Sequence, residues 1–194
     1  MTEKTPIKIA IVSSSFNGFL EQSLVQNSIT SCFHDEGIED FQVNKENDIN
    51  HNITQSFKKQ TAIEDISKDF HGYLSACIQN DKYQISLVIV TGALEIPQAI
   101  NWLAQTNKYD GLLALGCVIK GETTHFEHVC NEVMHGISKL ALKTGIPIAN
   151  SVVTALNKDD AIARVIAKGK NLGSKGMSTL LKMIDLKGQI DSLK

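Results

Sequence analysis

No CxxC pair, no polybasic block and no apolar run of membrane-spanning length occurs in these 194 residues. Each absence removes a class of protein. The four cysteines, Cys32, Cys77, Cys117 and Cys130, are scattered, which fits buried free thiols in a reducing compartment and not a disulfide framework. Without a basic block, and with a formal net charge of -2, there is no electrostatic case for nucleic acid. No stretch approaches the roughly 20 apolar residues of a membrane helix. The start, "MTEKTPIKIAIVSSS", is too short and too broken by serine for a signal peptide, so a cytoplasmic location is expected. Internal repeats are missing as well.

What is there suits a globular α/β chain. Hydrophobic residues make up 42% of it, enough for a full core, and the length favours one domain over two. Four apolar segments read as strands: "IKIAIVSS" (7–14), "ISLVIVT" (85–91), "GLLALGCVI" (111–119) and "IPIANSVVT" (146–154). The first three are almost continuously apolar instead of alternating, as parallel strands covered on both faces are.

Helical patterns lie between them. Val25, Ile29 and Cys32 repeat at helical spacing, with Gly37 as a stop. Pro97 suits a first turn ahead of Ala99, Ile100 and Leu103. Val129, Val133, Gly136, Ile137 and Leu140 form a stripe closed by Gly145. Ile162, Val165 and Ile166 form another, with Asn157 as N-cap and Asp159 and Asp160 favouring the helix dipole. Met177, Leu180, Leu181 and Ile184 mark a last helix. Alternating strands and helices predict a three-layer αβα sandwich around a central four-stranded parallel sheet.

Residues 38–84 break this rhythm and read as an insertion in a single domain spanning 1–194. "DFQVNKENDINHNITQ" is polar and reads as a loop, whereas Ile63, Ile66, Phe70, Tyr73, Leu74, Cys77 and Ile78 share one face of an amphipathic helix.

Ligands of open α/β sheets bind beyond the carboxyl ends of the strands, so the four strand ends are the places to look. "KGETTHFEH" follows the third strand. Thr124 and Glu127 fit a capping box, Gly121 allows a close turn, and the free N–H groups of the helix start offer an anion site. His125 in that first turn is suited to moving protons, and Lys120 adds a cation. The same residues fit ordinary helix capping with a surface histidine and lysine. His125, His128 and Glu132 could share a helix face around a metal, but HExxH is absent and no further ligand is evident, so no metal is expected. After the first strand, "SSSFNG" resembles a phosphate-binding loop, with Phe16 able to stack on a planar ring. In "GALEIP" Glu95 could hold a polyol, and Arg164 and Lys175 (within "GSKG") could bind phosphate.

Together, "SFN" (15–17), "GALEIP" (92–97), "GCVIKGETTHFEHVCNE" (116–132), "IPIANSVVT" (146–154), "AIAR" (161–164) and "GSKG" (173–176) resemble the lumazine synthase family. The resemblance covers nearly all of the chain outside 38–84, and the 116–132 block is its most specific part. It implies a flavodoxin-like fold and a homo-oligomer, a pentamer or a multiple of pentamers, with active sites between subunits. The implied reaction condenses 5-amino-6-(D-ribitylamino)uracil with 3,4-dihydroxy-2-butanone 4-phosphate to 6,7-dimethyl-8-ribityllumazine, phosphate and water, without cofactor or metal. Riboflavin synthase is a further partner the resemblance raises.

On the same resemblance, Phe16 would stack on the pyrimidine with Asn17 beside it, and Ala93, Leu94 and Glu95 would hold the ribityl chain. Val118, Ile119 and Lys120 would read the uracil edge. Gly121, Glu122, Thr123 and Thr124 would cradle the butanone phosphate, and His125 would move protons. Arg164 and Lys175 would reach in from the adjacent subunit. Asn150 stands where the family usually places an aromatic, a change expected to weaken ring packing by about 0.5–1.5 kcal/mol. The stretch between Arg164 and Lys175 looks longer than in capsid-forming members, which favours a pentamer or a pair of pentamers over a shell. The rival readings are an oligomer that binds lumazine or flavin without catalysis and a flavodoxin-like electron carrier.

Overall fold

The computed structural model describes residues 5–33, 74–79, 81–166 and 171–193. Strands β1 (Ile7–Ser14), β2 (Leu74–Gln79), β3 (Tyr83–Val90), β4 (Gly111–Ile119) and β5 (Ile148–Ala155) form one sheet in the order β2-β3-β1-β4-β5. Four of them, β3, β1, β4 and β5, run parallel, as the apolar segments predict. Helices α1 (Phe19–Phe33), α2 (Ile96–Gln105), α3 (His125–Thr144), α4 (Lys158–Val165) and α5 (Leu172–Asp191) cover its two faces.

The continuous apolar runs follow from that double cover. In β1, Ile9 and Ile11 point to one face and pack with Leu24 and Ile29 of α1, Val165 of α4 and Leu180 of α5. The intervening Ala10 and Val12 point to the other, with Ile96 and Ile100 of α2 and Val133 and Ile137 of α3. A strand with water on one side would have kept alternate polar residues.

The fifth strand is a correction. Leu74, Cys77 and Ile78 were expected on an amphipathic helix, yet 74–79 is an extended strand, antiparallel to β3, with Gln79 opposite Gln84. Leu74, Ala76 and Ile78 also satisfy a period of two, and over six residues the two periods cannot be told apart. Proximity decides: β2 lies only a few residues before β3, so the hairpin pairs its backbone groups at once. The rest of that expected helix, the loop before it and the stop at Gly37 lie outside the described residues.

Three helix ends follow their local signals. Asn157 caps α4 by accepting from the Asp160 N–H at 2.8 Å, and Gly145 ends α3 in the left-handed conformation. Pro97 lies in the first turn of α2. The last helix begins earlier than its apolar stripe implied, because Asn171 caps it at Ser174, so "GSKG" is helical. Its glycines permit close packing: a Cβ on Gly173 would sit 2.2 Å from the Leu24 carbonyl oxygen of α1. Ile166, assigned to the α4 stripe, is instead exposed.

Candidate active site

Helix α1 leaves β1 toward one face of the sheet, while α2 and α3 leave β3 and β4 toward the other. The carboxyl ends of these adjacent strands therefore part, and a crevice opens between them. A cavity of about 360 Å³ occupies it. Phe16 and Asn17 line it from the β1 turn, Gly92 to Glu95 from the β3 end, and Cys117 to Ile119 with Gly121, Thr123 and His125 from the β4 end. Ten of the residues singled out from sequence thus meet here: Phe16, Asn17, Ala93, Leu94, Glu95, Val118, Ile119, Gly121, Thr123 and His125.

Six others do not line this cavity. Lys120 is turned to Glu127, 2.7 Å away, and lies 5.9 Å over the Phe126 ring. Glu122 and Thr124 stand exposed beside the mouth. Asn150, exposed on β5, donates to the Met134 sulfur of α3 and accepts from the Val152 N–H. Arg164 on α4 and Lys175 on α5 are both exposed.

The walls differ in character. On the β1 side Phe16 is 81% exposed, an aromatic ring held out into the crevice with little of its own helix against it. On the β3 side a short 3-10 turn, Ala93–Glu95, precedes α2, and the Glu95 carboxylate folds back within 2.9 Å of where a Gly92 Cβ would lie. On the β4 side a short turn leads into α3, whose first N–H groups have no intrahelical partner one turn earlier, an arrangement able to bind an anion. The expected capping box is absent. Thr124 caps without a side-chain hydrogen bond, and the His125 N–H instead meets the Thr123 hydroxyl at 3.4 Å. Glu127 is drawn to Lys120 because a charge-assisted bond is stronger than one to a backbone N–H. That contact holds the Glu127 carboxyl below the usual carboxylate range.

Four lining residues, Gly92, Cys117, Phe126 and Val129, were not among those singled out. Cys117 reads as core, and burial, with a smaller contribution from the nearby Glu21 carboxylate, pushes its thiol up to about 12. Phe126 and Val129 follow His125 on α3 and line the cavity from that helix. No group of three or more His, Cys, Asp or Glu side chains among the described residues could hold a metal ion.

A family model described as 6,7-dimethyl-8-ribityllumazine synthase matches residues 53–188. That span starts inside the stretch set apart as an insertion and leaves out the β1 turn. A protein of Paraburkholderia phymatum with that same name is 47% identical over 107 residues, which cover 52% of this chain and 62% of the relative. Another so named, from Azoarcus sp., is 45% identical over 121 residues, covering 58% of this chain and 78% of its own length. The family match runs through the β3 end and the whole β4 turn, the parts that build most of the crevice. The chain belongs to the 6,7-dimethyl-8-ribityllumazine synthase family.

Proposed function

We propose that this chain condenses 5-amino-6-(D-ribitylamino)uracil with 3,4-dihydroxy-2-butanone 4-phosphate to give 6,7-dimethyl-8-ribityllumazine, phosphate and water. The observation that carries the reading is the pairing, across one cavity, of an exposed aromatic at Phe16 and a helix start at Gly121–His125. A planar pyrimidine stacks on the first, and a phosphate is held by the N–H groups of the second.

The remaining roles follow from position. Asn17 flanks the ring, and Val118 and Ile119 present backbone groups at its edge. The wall of Ala93, Leu94 and Glu95 takes the ribityl chain, with Glu95 accepting from its hydroxyls. Gly121, Glu122, Thr123 and Thr124 surround the phosphate, and Lys120, swinging from Glu127, adds positive charge. His125 moves protons as the imine forms and phosphate departs, a contribution of about two to four orders of magnitude in rate. Holding both reactants in one water-poor pocket supplies much of the rest.

Exposed Arg164 and Lys175 lie off this chain's own cavity, which fits a site completed by a neighbouring subunit in a homopentamer or pair of pentamers. In that arrangement Asn150 faces the neighbour's pyrimidine site. The enzyme works in the cytoplasm, and riboflavin synthase consumes its product. Incubating the purified protein with both substrates tests the reading. Lumazine fluorescence should grow in proportion to protein, above the uncatalysed background. Tight lumazine binding without turnover would instead identify a binding protein.

A further inference from the structure

Glu21 has no place in the chemistry above, yet it is fully buried in the first turn of α1, seven residues past the end of β1. Its carboxylate joins three pieces of the site. One oxygen accepts from the Ser14 hydroxyl, at the last residue of β1. The other accepts from the Asn17 N–H at 2.8 Å, in the turn that carries Phe16. Asn17 in turn donates through its side chain to the Cys117 carbonyl of β4 at 2.6 Å. Longer backbone bonds also close the turn, among them the Leu20 N–H to the Asn17 carbonyl at 3.2 Å. The Gly18 N–H reaches the Ser15 carbonyl at 3.3 Å, and Gly18 takes a left-handed φ of +44°. Phe16 itself is too exposed to be fixed by packing.

Resting on the reading above, we propose that Glu21 is a positioning residue for the pyrimidine half of the site: bonded to Ser14 and the Asn17 amide, it fixes the turn that presents Phe16. A charge placed here only to favour the helix dipole would face water. Burial pushes the carboxyl above its ordinary value, against the lowering effect of the Ser14 and backbone hydrogen bonds. The protein thus retains a costly buried acid where an apolar side chain would fill the space.

The test compares Glu21→Ala, Glu21→Gln and Ser14→Ala with the parent in the full chain. Glu21→Ala should raise KM for the pyrimidine substrate about tenfold, the loss of a buried hydrogen-bonded tether. KM for the butanone phosphate, bound at the other wall, should move by less than about twofold. Glu21→Gln keeps an acceptor and a donor and should recover most of the loss. With 4-fluorophenylalanine at position 16, the fluorine NMR line should narrow in Glu21→Ala as the turn gains freedom, and return toward the parent's width in Glu21→Gln. An unchanged pyrimidine KM with an unchanged fluorine line, or equal damage from Ala and Gln, overturns the proposal. Should Glu21→Ala fail to fold, Ser14→Ala takes its place: a moved line supports the tether, an unmoved one refutes it. If the parent makes no lumazine, the functional reading fails, but the fluorine comparison still decides the role of Glu21.

Discussion

Phe16→Ala separates folding from binding. The ring is 81% exposed, so its removal takes almost no apolar surface from the core, and stability should change by no more than about 0.5 kcal/mol. For a chain of this size that is a melting shift of about 1–2 °C. Binding should respond very differently. Stacking of a heterocycle on an aromatic side chain is worth roughly 1–3 kcal/mol by alanine substitution, or about 5- to 160-fold in affinity. Titrating parent and variant with 6,7-dimethyl-8-ribityllumazine, read by its fluorescence, measures the second quantity, and a thermal melt of the same samples measures the first. A melting point lowered by many degrees would mean that Phe16 anchors the core. Equal affinity in the two proteins would mean that the ring does not meet the ligand. Either result refutes the assignment of the β1 turn.

Other consequences are as specific. Gly173→Ala drives a methyl against the Leu24 carbonyl oxygen, which is backbone and cannot rotate away, so urea unfolding should show a loss of about 1–3 kcal/mol or more. A loss near zero would mean α1 and α5 are not in such contact. Cys32 and Cys117, both pushed up to about 12 chiefly by burial, should resist iodoacetamide at neutral pH, while half-buried Cys130 reacts sooner, as read peptide by peptide in a mass spectrum. Rapid alkylation of Cys117 in the folded protein would contradict its placement. Glu21 has its carboxyl raised above an ordinary 4.5 by desolvation, so its contribution is fully present below that value and is lost as pH rises through the raised one. Glu21→Gln should therefore flatten the decline in stability above the ordinary glutamate range. Parallel pH profiles for the two proteins would count against a buried, protonatable Glu21.

The sequence was most legible where structure is decided locally. The unbroken apolar runs of β1 and β4 announce burial on both faces, and Asn157 before two aspartates announces the start of α4. Ten of the residues chosen at the strand ends meet in one cavity because strand ends of a parallel sheet must converge. What escaped depends on partners distant in the chain. The first-turn position of Glu21 suggests dipole stabilisation, and only the Asn17 bridge to Cys117, 100 residues away, reveals a buried tether. Thr124 and Glu127 satisfy a capping box on paper, but Lys120 competes successfully for the glutamate. At 74–79 a helical period and a strand period coincide, and the neighbouring strand settles it.

One reaction, followed at two signals, bears most directly on whether this crevice performs the condensation. Lumazine fluorescence and inorganic phosphate are recorded together for the parent and for His125→Ala. The expected result is one phosphate per lumazine in the parent, with turnover in the variant slower by about two to four orders of magnitude. Phosphate released without lumazine, or a variant as fast as the parent, would contradict the assignment of the chemistry to the start of α3.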